Sequence, residues 1–153
     1  MTALQPREPV YSALFALGAS ITYAGTPWAF TARKVFLWGD IPSQPAFCQA
    51  EPRESTKART NKPAVRTWTA SWLFYFTVDQ SDLSPGTKAN SILDQVDALM
   101  PTFDEGDIPA FGGKQQTLGG LVHRMGVQGE TKKFLGDITG QGLIVVPLVM
   151  LVP

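Results

Sequence analysis

The stretch 65–78, Val-Arg-Thr-Trp-Thr-Ala-Ser-Trp-Leu-Phe-Tyr-Phe-Thr-Val, constrains this chain more than any other. Taking alternate residues puts Trp68, Ala70, Trp72, Phe74, Phe76 and Val78 on one side and Thr67, Thr69, Ser71, Leu73, Tyr75 and Thr77 on the other. Side chains alternate across a β-strand, so this register specifies a long strand with one buried aromatic face. A slip of one residue would carry the large rings to solvent, so the pairing is strongly fixed. The remainder of the chain must supply an apolar cover for that face.

At 153 residues the chain is expected to be a single domain, 1–153, with enough length to bury a core without disulfides or a structural metal. It contains 13 basic and 13 acidic residues, so there is no bulk charge to argue for a nucleic-acid binder. Its one cysteine, Cys48, cannot close an intrachain disulfide, and its one histidine leaves no Cys/His zinc set. A reducing compartment fits that usage. The apolar run 143–152 is too short to span a bilayer as a helix, and residues 1–9 lack the basic and apolar regions of a secretory signal. These features predict a soluble intracellular product.

Apolar spacing predicts a helix over 10–19, with Pro9 where a first-turn proline is tolerated, and a second helix from Ser84-Pro85-Gly86-Thr87 to about Leu99. Strands are expected at 33–38, 45–51, 121–130 and 142–152, and a loop at 21–31. The last strand is apolar on both faces yet contains Pro147, which predicts cover on both sides and a neighbour that is missing or bulged. Together these elements predict an α+β fold: a mostly antiparallel sheet of four to five strands with two helices packed on one face.

Two segments carry opposite charge. Residues 53–62 hold four bases and one acid without apolar periodicity, which suggests an extended loop over 53–63 that is either a solvated tip or an arm ordered by a partner. Residues 94–107 hold five acids and no base, and a flexible loop rich in Gly and Pro is expected over 103–117. Opposite patches on one subunit suit a head-to-tail contact. The candidate interface residues are therefore Arg53, Lys57, Arg59, Lys62, Asp94, Asp97, Asp104, Glu105 and Asp107.

Signatures of chemistry are missing. Gly113-Lys114 lacks the earlier glycine of a phosphate-binding loop, since position 108 is Ile, and position 115 is Gln. Ser20 lacks the second flanking glycine of a nucleophile elbow. His123 has no evident partner, and the acids at 104, 105 and 107 lack the alternating spacing of a calcium loop. No catalytic residue, cofactor or metal is predicted, and an enzyme is not expected.

Several motifs occur in one order: a Tyr-Ser-Ala-Leu-Phe helix, Trp38-Gly39-Asp40-Ile41-Pro42, Gln44-Pro45-Ala46-Phe47 and the aromatic strand. Asn90-Ser91-Ile92-Leu93-Asp94, Thr117-Leu118-Gly119-Gly120-Leu121-Val122 and a final Val-Pro-Leu-Val-Met-Leu-Val follow. In that order the chain resembles the tail terminator, or tail completion, minor tail proteins of tailed bacteriophages. The resemblance implies a homohexameric ring at the head-proximal end of the virion tail, assembled in the host cytoplasm. Such a ring caps the tail tube, ends its polymerisation and docks the head-tail connector. The implied partners are further copies of the chain, the tube protein, the connector, and DNA passing through the lumen without sequence-specific binding. The alternatives are another neck or tail-tube component, or a small-ligand-binding α+β module whose pocket the aromatic face would line.

Overall fold

The computed structural model describes residues 4–100, 116–136 and 139–153, apart from the side chains at 62, 63 and 65. In chain order the elements are α1 (Arg7–Ala19), β1 (Phe30–Ala32), a 3-10 turn (Trp38–Asp40), β2 (Ala46–Arg59) and β3 (Lys62–Thr77). They continue with α2 (Gly86–Leu99), β4 (Arg124–Val127), β5 (Lys132–Phe134) and β6 (Gln141–Val152). The sheet runs β1-β2-β3-β6-β4, and β5 pairs with β6 beyond β4 on the same edge.

The long strand is β3, and its aromatic face is the centre of the core. Trp68, Ala70, Trp72, Phe74, Phe76 and Val78 are all buried, as the alternation requires. Both helices pack on this front face. Helix α1 tolerates Pro9 in its first turn because the opening N–H groups of a helix have no intrahelical acceptor. It buries Val10, Tyr11, Leu14 and Gly18, and Tyr11 stacks on Trp68 with ring centroids 5.3 Å apart. Helix α2 turns Ala89, Ile92 and Val96 inward, a spacing of three and four residues that lines one helical face. Neither Ser84 nor Thr87 caps it through a side chain; Pro85 is the N-cap residue.

The sheet differs from expectation in having six strands and one parallel pair, β1 with β2. Parallel neighbours cannot be joined by a tight turn, so the chain must cross a face of the sheet between them. Residues 33–45 make that crossing on the back face, which the helices leave open. The predicted strand at 33–38 is this strap. Phe36 and Trp38 pack against Leu73 and Tyr75 there. The Tyr75 hydroxyl donates to the Phe36 carbonyl at 2.7 Å, and Trp38 Nε1 donates to the carbonyls of Gly142 at 3.1 Å and Phe76 at 3.3 Å.

Other boundaries move as well. β2 runs on to Arg59, so the stretch expected as a loop over 53–63 is the outer half of a β2–β3 hairpin turning at Thr60-Asn61. Asn61 adopts φ 59°, a left-handed turn conformation that asparagine tolerates. The predicted strand at 121–130 is four residues, Arg124–Val127, and β5 follows at Lys132–Phe134. The flexible loop foreseen over 103–117 lies outside the described residues except for its last two.

Pro147 sits in an interior strand and still satisfies the ladder. Its carbonyl accepts from Gln128 N at 3.2 Å, on the side of β6 occupied by β4 and β5. In an antiparallel strand the N–H and C=O of one residue point the same way. The N–H that proline lacks would therefore face the interruption between β4 and β5, outside the paired positions of either strand. Gly129, at φ 112°, lets that bulge pass Pro147, whose Cγ would lie 3.4 Å from an added Cβ.

Candidate assembly surfaces

Among the described residues a dense polar cluster joins α1 to β2. Arg7 Nε donates to Glu54 Oε1 at 2.7 Å and the Tyr11 hydroxyl donates to Glu54 Oε2 at 2.8 Å. Arg33 holds both oxygens of Glu51, at 2.9 and 2.7 Å, and also pairs with Glu8. Beneath them buried Gln49 donates to the Tyr11 carbonyl at 3.1 Å and accepts from Trp72 Nε1 at 3.1 Å. Desolvation would raise the Glu54 pKa, but hydrogen bonds from Arg7 and Tyr11 and the nearby Arg7 and Arg66 charges outweigh it and hold the carboxyl below its ordinary value. Burial, then the hydrogen bond to Glu54, pushes Tyr11 up. Acid, base and cation satisfy one another here, so the cluster fixes a helix on a sheet and leaves no group poised for proton transfer.

Arg66 is the only buried base among the described residues. Its guanidinium donates to the carbonyls of Pro153 and of Gln5, the latter at 2.8 Å, and lies over Trp68. It ties both ends of the described chain to β3.

Beyond Arg66, which pairs with Val152, β3 has no strand partner but β2 among the described residues. The hairpin therefore projects past Thr56 as a two-stranded arm, and residues 57–61 are exposed along its β2 side and turn. Two strands without a third, or a helix against them, are marginal in water. Lys57 lies on this arm, Arg59 and Lys62 pair next to its turn, and Arg53 sits opposite Thr69, where β3 is still paired with β6.

The register settles which face each charge occupies. Pairing places Arg53 opposite Thr69 and Lys57 opposite Val65, on the back face. Arg124, opposite Leu151, and Lys132, opposite Val145, share that face at the other edge. Among the described residues no strand position directed to the back carries a carboxylate. Between these bases run Leu143, Val145, Pro147, Val149 and Leu151 of β6, of which only Val149 is buried. An apolar centre within a charged rim is how protein interfaces are commonly built.

Asp40 is exposed on the back strap, but the acids of α2 and of the turn before it lie on the opposite side. Asp94 and Asp97 are exposed on the surface of α2 directed away from the sheet, and Asp79 and Asp82 are exposed in the turn that leads to it. The predicted patches are thus brought to opposite sides of the molecule, with the sheet and α2 between them. Asp104, Glu105 and Asp107 fall outside the described residues.

An open groove of 580 Å³ completes the set. Trp38, Lys133, Phe134, Leu135, Gln141 and Leu143 line it. Of the large exposed hydrophobics, Val35, Leu37 and Phe134 belong to the strap and the groove, Leu83 stands at the foot of α2, and Leu4 precedes α1. None of these residues was named as a site residue from sequence, because only the crossover brings 35–38 beside 133–143.

A scan against protein-family models finds none that matches this chain, and a search of curated proteins finds no match. Among the described residues no three His, Cys, Asp or Glu side chains gather in a way that could hold a metal ion. No helix among them is long and apolar enough to cross a membrane. His123 is exposed just before β4, and its N–H donates to the Leu151 carbonyl at 2.9 Å. Cys48 is buried, which pushes its thiol up to about 11 against a small opposing effect of a backbone hydrogen bond with Ala32.

Proposed function

We propose that this chain is a structural subunit that closes into a ring by head-to-tail contact, in the manner of a tailed-phage tail terminator. The observation that carries this is the separation of charge across the molecule: Arg53 and Lys57 on the back of the sheet, Asp94 and Asp97 on the outside of the helical layer. A heterologous contact joins two different surfaces of one subunit, and it closes when successive rotations complete a circle. Unlike charges on opposite sides favour that arrangement and penalise like faces meeting. The two-stranded hairpin arm and the half-buried β6 stripe further support it, since each gains cover from a neighbour. In this role a hexamer caps the tail tube, presents its other rim to the connector, and leaves a lumen for DNA.

Mass in solution and negative-stain imaging test the proposal. The purified chain should form closed rings, whereas another tail-tube component would extend into open tubes. Replacing Arg53 and Lys57 by Glu should convert rings to monomers, and raising salt should weaken the native assembly in the same direction. Rings that persist unchanged in the double variant would remove the electrostatic basis of the contact.

A further inference from the structure

We infer that the Leu83 turn of one copy seats in the Trp38–Phe134 groove of the next copy, as the apolar anchor of the head-to-tail contact. This rests on the ring proposed above and names one of its joints.

The turn and the groove are chemically matched. Leu83 is 96% exposed, which leaves the side chain of a large aliphatic residue wholly in water. It lies between Asp82 and the start of α2, and Asp79 precedes it in the same turn. The turn is shaped by its own hydrogen bonds: Asp79 Oδ1 accepts from Ser81 N at 2.9 Å, and Asp82 Oδ1 accepts from Ser84 N at 2.8 Å. Leu83 is therefore presented on a braced loop, with an acid on its flank. Preorganisation of this kind lowers the ordering cost of a contact.

The groove supplies the complement. Trp38, Leu135 and Leu143 give it apolar walls, Phe134 at its lip is 55% exposed, and Leu37 beside Trp38 is 77% exposed. Lys133 lines it and Lys132 is next in the chain, while Asp40 is the acid of the adjoining 3-10 turn. The Trp38 indole is held by two backbone carbonyls, so that wall is rigid before any partner arrives. At 580 Å³ the groove is roomier than one leucine side chain and takes the turn around it.

Position selects a second copy over the same one. β3 leaves the sheet after Thr77, which pairs with Gln141 of the groove, and the turn then rises to the helical side. Leu83 stays exposed in its own chain, so its own groove does not take it. Across a helical-side-to-back contact, the acidic turn of one copy and the basic-rimmed groove of the next lie at the same end of the fold. Asp82 then meets Lys133, which lines the groove, while Leu83 is desolvated. Buried anchors of this type carry a large share of interface energy.

The experiment uses the whole chain as wild type, Leu83→Asp, Phe134→Asp and an equimolar mixture of the two variants, with mass followed by sedimentation across a concentration series. Both side chains are exposed, and thermal unfolding of each variant confirms that the fold is intact. Each variant alone should need about tenfold or more protein to assemble. The mixture should yield one-to-one dimers and nothing larger, because the intact turn of Phe134→Asp fits the intact groove of Leu83→Asp while both outer ends are blocked. Rings formed by either variant within about threefold of the wild-type concentration would overturn this inference and leave the ring standing. A wild type that stays monomeric throughout would overturn both.

Discussion

Replacing Gly18 by Ala tests how tightly α1 is set on the sheet, because two opposing effects of known size meet at that residue. In a helix alanine is favoured over glycine by about 0.8–1.0 kcal/mol, so propensity alone makes the variant more stable. The added Cβ, however, would stand 2.3 Å from Phe47 Cζ and 2.8 Å from Trp72 Cε2. Those rings have no room to retreat. Both are fully buried, and Phe47 is packed against Phe15, Trp72 and Phe74 with centroids 5.3 to 6.0 Å away. Overpacking a filled core costs about 1–3 kcal/mol, and rigid rings place this case toward the upper end. The net expectation is a loss of about 1–2 kcal/mol. For a domain of this size that lowers Tm by roughly 2–8 °C. Thermal and urea unfolding of Gly18→Ala measure it, with Gly39→Ala as the control, since no heavy atom lies within 4 Å of an added Cβ there. A Tm at or above wild type for Gly18→Ala would show that α1 is not held at this distance.

Glu54 gives a pH signature: its folded-state pKa is depressed, so its contribution to stability is present above the ordinary carboxylate range and disappears as pH falls through the lowered folded value. The Tm difference between wild type and Glu54→Gln should be largest at neutral pH and vanish in acid; a constant difference would mean that the charge of Glu54 is irrelevant. Cys48, buried with its thiol pushed up to about 11, should resist alkylation at neutral pH until the chain unfolds. Labelling followed by mass spectrometry reads this directly, and rapid modification of the native protein would contradict the packing around β2.

What the sequence determined by itself was the axis of the core. Alternation in 67–78 encodes which side chains of β3 are buried, because a pleated strand has a period of two and large rings tolerate only one register. The inward face of α2 was equally legible through Ile92 and Val96. The arm was not, because its β2 residues are polar and exposed and owe their strand conformation to pairing across Thr60-Asn61. Pro147 pointed to a break in the ladder, but only the pairing of Gln128 with its carbonyl located that break in the neighbouring strands.

Charge shows the same division. Composition placed bases at 53–62 and acids at 94–97, yet linear order carries no information about which side of a sheet each will face. That was decided when the helices covered the aromatic face and left the back to the 33–45 strap, since burying the rings comes first and surface charges follow the pleat. The groove beside Trp38 exists for the same reason: a parallel β1–β2 pair needs a crossover, and the crossover brings residues almost 100 positions apart to one surface.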